Sequence, residues 1–267
     1  MTSPSPIEPV ETPIRKRKRR RGVVFGVLAV VVVLVVVGVI VLDGVARGYA
    51  ANMIETKVRS SLSLPASTPV IVSVAGTSVL LQLATGRLER VNVAVDKLAI
   101  GKLNGDAKLT VAGVPIDAGK PIDTARLAFT IDQSQLQKLL GGLSALPVSS
   151  LAIGSGAVQI GTKFTVFGAT VPFAIELVPS AVDGQLVLTP KSLTFNGRTL
   201  TPTDIGTTFG SLGDTLLATH KICVANLLPK GFVLGSVSVN GARVQLTVTA
   251  QSVLLDGALL TTRGVCP

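Results

Sequence analysis

The chain has 267 residues, a formal charge of +10, 47% hydrophobic side chains, 3% aromatic ones and no tryptophan. The charge does not point to nucleic acid. Residues 1–21 hold seven basic and two acidic side chains, and the other 18 basic and 13 acidic residues are dispersed, with no basic stripe interleaved with stacking aromatics. One histidine and two cysteines cannot complete a tetrahedral metal site with comparable ligands, so no metal and no cofactor is expected.

Residues 1–14, with Pro4, Pro6, Pro9 and Pro13, are too polar and proline-rich to fold, and the basic block Arg15 to Arg21 completes a disordered tail, residues 1–21. From Gly22 to Leu42 the chain is uncharged and aliphatic, with twelve valines in 21 positions. As a helix this run spans roughly 30 Å, a bilayer's hydrocarbon thickness. Valine is a poor helix former in water, but in lipid only a helix satisfies the backbone within one segment. The basic block resists translocation, which predicts a single-pass anchor over residues 22–42, a cytoplasmic N-terminus and an extracytoplasmic domain over residues 43–267 at the cell membrane. The competing reading is a cleaved signal peptide, with small residues at Ala46-Arg47-Gly48 and Gly48-Tyr49-Ala50.

Val45 to Leu62 has a helical period, with Ala46, Ala50, Ile54, Val58 and Leu62 on one stripe and Pro65 beyond it. The period then changes to two. Val70, Val72 and Val74 share one face with Ile71 and Ser73 on the other, while Val91, Val93 and Val95, then Ala125, Leu127, Phe129 and Ile131, alternate with polar or small residues. Asp132 is a plausible N-cap for a helix from Gln133 to Leu140 ended by Gly141-Gly142. Further strands are predicted over 158–167, 171–178, 185–188, 192–196, 233–239 and 243–253, with a helix starting at Thr203 or Asp204 and carrying Ile205, Phe209, Leu212 and Leu216 on one stripe. Asn104-Gly105, Asp183-Gly184, Asn196-Gly197 and Asn240-Gly241 read as tight turns. The fold class is therefore α+β: an N-terminal transmembrane helix, then an antiparallel β-sheet with amphipathic helices, a closed β-sandwich being the alternative.

Cys223 and Cys266 both follow the apolar run, and in an oxidising compartment they are expected to pair. Closing a loop of about 44 residues would stabilise by about 3–4 kcal/mol in the chain-entropy picture.

No motif names an enzyme. There is no Gly-x-Ser-x-Gly, Gly154-Ser155-Gly156 lacks its spacing, and a serine triad would have to use His220. Glu176, inside an apolar strand, reads as a solvent-facing strand position, and the other carboxylates sit at turns or on polar faces. The catalytic residues are therefore unknown. The aliphatic, sparsely polar composition suits a cleft for acyl chains, which need area rather than hydrogen bonds, and equally suits a plain core.

Val70 to Asp96 carries Gly76, Leu80, Gln82, Gly86, Leu88, Val91 and Val93 in a pattern that resembles the LmeA-like family of actinobacterial cell-envelope proteins, with Ser78-Val79 where the family commonly has Pro-Phe. Val171-Pro172-Phe173, Asp183-Gly184-Gln185-Leu186 and Leu228-Pro229-Lys230-Gly231 extend the resemblance over roughly residues 54 to 266. It implies an elongated antiparallel sheet wrapped around a long helix, similar to the tubular lipid-binding fold, and an acyl-chain cavity. Leu80, Leu81, Phe129, Phe173 and Phe209 are the expected lining, and a membrane phospholipid or glycolipid the expected partner, beside the bilayer itself. The same resemblance implies phospholipase-like activity as an alternative; an interaction module exposing sheet edges is a third reading.

Overall fold

The computed structural model describes residues 19–100, 103–117, 119–141, 148–166, 169–254 and 262–265. The chain divides into two compact units, Met1–Val45 and Ala46–Pro267. In the first unit the described residues belong to α1 (Arg19–Ser61), whose apolar residues from Val31 to Leu42 are nearly all exposed. Val31–Ser61 is the one helix among the described residues long and apolar enough to cross a membrane. The uncharged run and the segment bearing the four-residue stripe both fall within the bounds of α1.

The second unit is α+β and antiparallel throughout. β1 (Val70–Ala75), β2 (Arg87–Ile100), β3 (Leu103–Pro115), β4 (Thr124–Asp132), β11 (Phe232–Asn240) and β12 (Arg243–Gln251) form one six-stranded sheet in the order β1-β2-β3-β4-β12-β11. β5 (Val148–Gly154), β6 (Ala157–Val166), β7 (Ala169–Val182), β8 (Gln185–Phe195) and β10 (His220–Ile222) form the second, with β9 (Arg198–Leu200) paired to β8. β11 packs against β7, and a bridge between Gly184 and Leu234 ties the sheets together.

The first sheet shows why strict alternation mattered. Val74, Val91, Val111 and Ala125 stand opposite one another across four strands, as do Val70, Val95, Ala107 and Phe129. Each row places only apolar side chains on one face, and the intervening rows carry Ser73, Asn92, Thr110 and Arg126. The helical stripe lies on the apolar face: Ala46, Ala50, Ile54 and Val58 pack against the cluster of Val70, Val74, Val91, Val93 and Val95. Leu62 does not continue it. The helix ends at Ser61, and Leu64 takes the next place in the core.

Several expectations change. Asn104-Gly105 is not a turn but the start of β3, with Gly105 opposite Leu98. A Cβ there would lie 2.8 Å from the Phe129 ring and closer still to the Thr130 carbonyl, so the glycine serves close strand packing. Asp183-Gly184 and Asn196-Gly197 are tight turns in which both residues have positive φ, and so is Ser155-Gly156, which explains that serine without chemistry. The segments 185–188 and 192–196 are one strand, β8, with a register shift opposite Glu176 and Leu177. Asp132 ends β4, and its carboxylate accepts from Arg243 Nε at 2.9 Å. α3 (Gln133–Gly141) begins after it, and the Gln133 amide bonds the backbone of Leu151 and Ile153 on β5.

The helix expected near Thr203 is two: α4 (Pro202–Phe209) and α5 (Ser211–Leu217), separated by Gly210 at φ +54°. Thr201 is the N-cap, with Pro202 following and Asp204 closing a capping box onto the Thr201 amide. Those bonds hold the Asp204 carboxyl below its ordinary value. Several elements had no counterpart among the predicted segments: the strands β3, β5, β9 and β10, and α2 (Val79–Ala84), a six-residue helix between β1 and β2.

Candidate functional site

The helix that packs on the first sheet also carries an open depression. Tyr49, Asn52, Met53, Thr56, Lys57 and Ser60 line an open groove of about 420 Å³. Positions 49, 53 and 57 recur every four residues, and so do 52, 56 and 60, which places both rows on the flank of the helix beside the stripe that packs on the sheet. The chemistry changes along the groove. Tyr49 and Met53, 68% and 59% exposed, give its first part a large apolar surface. Lys57, Thr56 and Ser60 make the other end polar and cationic. The Thr56 hydroxyl donates to the Asn52 carbonyl and the Ser60 hydroxyl to the Lys57 carbonyl, so both oxygens keep acceptor capacity only, while the Lys57 ammonium has three donors. Among the described residues Lys57 has no ion-pair partner. Such a groove matches an amphiphile with an apolar body and an anionic head: contact area at one end, one positive charge at the other.

A second depression, about 360 Å³, lies on the second sheet. Ser150, Gly161, Ala174 and Thr194 are register partners across β5, β6, β7 and β8, so its floor is a row of very small side chains with Lys163, Pro172 and Phe173 beside it. A Cβ on Gly161 would collide with the Ser150 hydroxyl.

The five residues expected to line a cleft stand on four different elements. Leu80 and Leu81 project from α2, 37% and 61% exposed. Phe129 is buried in the core beneath the first sheet, and Phe173 borders the depression on the second. Phe209 ends α4, and its side chain lies outside the described residues. Tyr49, Met53 and Lys57 were not singled out beforehand; the signal was a second four-residue repeat on the same helix, 49-53-57, apolar in its first two members.

His220 is exposed on β10. Glu176 has a structural explanation: its carboxylate accepts from Lys191 Nζ at 2.9 Å and the Ser192 hydroxyl at 2.8 Å. The Lys191 and Ser192 hydrogen bonds lower its pKa, against a smaller opposing effect of burial. Cys266 lies outside the described residues, so the Cys223–Cys266 pairing does too.

A family model described as LmeA-like phospholipid-binding matches residues 41–249, which takes in the amphipathic part of α1, the strands β1 to β11 and most of β12. No curated protein and no solved structure matches the chain. With the greater part of its length matched by that model, the chain belongs to the LmeA-like phospholipid-binding family.

Proposed function

We propose that the protein is a single-pass, membrane-anchored lipid-binding protein of the cell envelope, with its C-terminal domain outside the cytoplasm, where it holds a phospholipid or glycolipid and assists envelope lipid metabolism or transfer. The observation that carries this reading is membership of a phospholipid-binding family. The groove on α1 supports it: acyl carbons lie along Tyr49 and Met53, and the lipid phosphate takes the Lys57 ammonium. The proposed layout is a tail over residues 1–21, an anchor over residues 22–42 supported by the apolar helix, and the lipid-binding domain over residues 43–267. The Cys223–Cys266 disulfide belongs to the same reading, because it needs an oxidising compartment; an intact mass lighter by two hydrogens in the absence of reductant tests it.

Binding of a fluorescent phosphatidylglycerol to the full chain in detergent tests the groove. Met53→Asp places a charge where an acyl chain lies, and Lys57→Glu reverses the charge at the head. Each is expected to weaken binding by about tenfold, the equivalent of 1.4 kcal/mol. Affinities equal to that of the unaltered protein in both variants would remove the groove from the account.

A further inference from the structure

One end of the domain presents apolar side chains that neither core uses. α2 is fixed from below: Val79 is fully buried, and the buried Gln82 side chain accepts from the Glu89 amide at 2.8 Å and donates to the Ala75 carbonyl. Gly76, at φ +129°, makes the sharp approach possible, since a Cβ there would strike the Gln82 amide. Ser78 caps the helix through its hydroxyl. This short, well-anchored helix nevertheless turns Leu81 and Leu83 outward, 61% and 43% exposed, with Leu80 beside them. Ile116, 53% exposed, joins them, because its amide donates to the carbonyl of Gly86, two residues after α2. Four large aliphatic side chains therefore share one rim of the first sheet, where β2 begins and β3 ends. Single exposed leucines are ordinary, whereas a cluster on a platform held by a buried glutamine is not.

The same rim holds the beginning of the domain's own chain. Arg47 donates from Nη1 to the Val74 carbonyl at 2.6 Å and from Nη2 to the Gly76 carbonyl at 3.3 Å, at the turn leading into α2. In sequence Arg47 follows Leu42, the last residue of the uncharged run, by five positions. We propose that α2, with Ile116, is a membrane-dipping rim: Leu80, Leu81, Leu83 and Ile116 seat in the acyl boundary of the bilayer that the apolar run spans. A bilayer rather than a protein is the occupant, because the aliphatic residues carry no polar pattern to specify a partner, and Arg47, bound at this rim, follows the apolar run by five positions in sequence. This rests on the anchoring reading above and adds to it a second, peripheral membrane contact.

The absence of tryptophan makes the test direct. The full chain is reconstituted in phosphatidylcholine vesicles with or without brominated acyl chains, carrying a single Val36→Trp, Leu81→Trp, Ile116→Trp or Leu62→Trp substitution. Leu62 is half exposed and lies just past the other end of α1. Trp at 81 and at 116 is expected to lose about half its emission to the bromines, since an apolar face at the boundary sits roughly 5–10 Å deep. Trp at 62 is expected to lose none, and Trp at 36 the most. Two rim reporters guard against one disturbed variant, and far-ultraviolet circular dichroism checks the fold of each. Trp at 81 and 116 no more quenched than Trp at 62, with Trp at 36 quenched, would overturn the dipping rim and leave the anchor standing. An unquenched Trp at 36 would overturn both.

Discussion

Val79 and Leu81 are two residues apart on the same short helix, and their roles separate cleanly by substitution. Val79 is fully buried, so Val79→Ala removes two methyl-sized groups from a packed site. The transfer loss is about 1.6 kcal/mol at about 0.8 kcal/mol per group, and the residual cavity raises the cost to about 2–3 kcal/mol. For a domain of this size that lowers Tm by about 4–12 °C. Leu81→Ala removes more carbon but from a side chain 61% exposed, and its expected cost is within about 0.5 kcal/mol of zero. Circular dichroism of the full chain in detergent, followed at the strand band during heating, reads both. Equal destabilisation by the two variants would mean that α2 is packed on both faces. It would also remove the platform on which the dipping rim depends.

Glu176→Gln tests a pKa argument with a defined sign. The native carboxyl is lowered by Lys191 and Ser192, so the ionised form is favoured on folding. Its contribution is fully present above the ordinary glutamate pKa and is lost as pH falls through the lowered native value. Because Lys191 is half exposed, screening limits the effect to about 0.5–1 kcal/mol near neutral pH; denaturant titrations should show the variant and the parent converging in acid, and a difference that grows toward low pH would reverse the argument. Gly105→Ala is expected to cost about 1–3 kcal/mol by overpacking Phe129 and the Thr130 carbonyl, whereas alanine at a free hairpin turn of ordinary φ would cost almost nothing in the same titration.

The parts of the fold that repeat over many residues could be read in advance. Ala46, Ala50, Ile54 and Val58 have one reason to recur every four residues, and the valine rows of β1 and β2 one reason to recur every two: each places all its apolar atoms on a single face. What failed to show was set by partners distant in sequence. Gly105 looks like half of an Asn-Gly turn until the Phe129 ring is seen packed against it. α2, with five aliphatic residues in six, has no period, and only the buried contacts of Val79 and Gln82 determine which of its sides faces in. The helix flank from Tyr49 to Ser60 carries polar residues at Asn52, Thr56, Lys57 and Ser60, which interrupt any apolar stripe there. Phe129, Phe173 and Phe209 are apolar-face residues of separate segments, and their local pattern carries no information on which sheet or helix brings them together.

Native mass spectrometry of the full chain, released from detergent micelles after purification from cells, addresses lipid binding most directly. The account predicts a bound species at the mass of one phospholipid or glycolipid that survives gentle activation, is depleted in Met53→Asp, and is unchanged in Glu176→Gln. A chain that carries no lipid, or carries it equally with Met53→Asp, would contradict it.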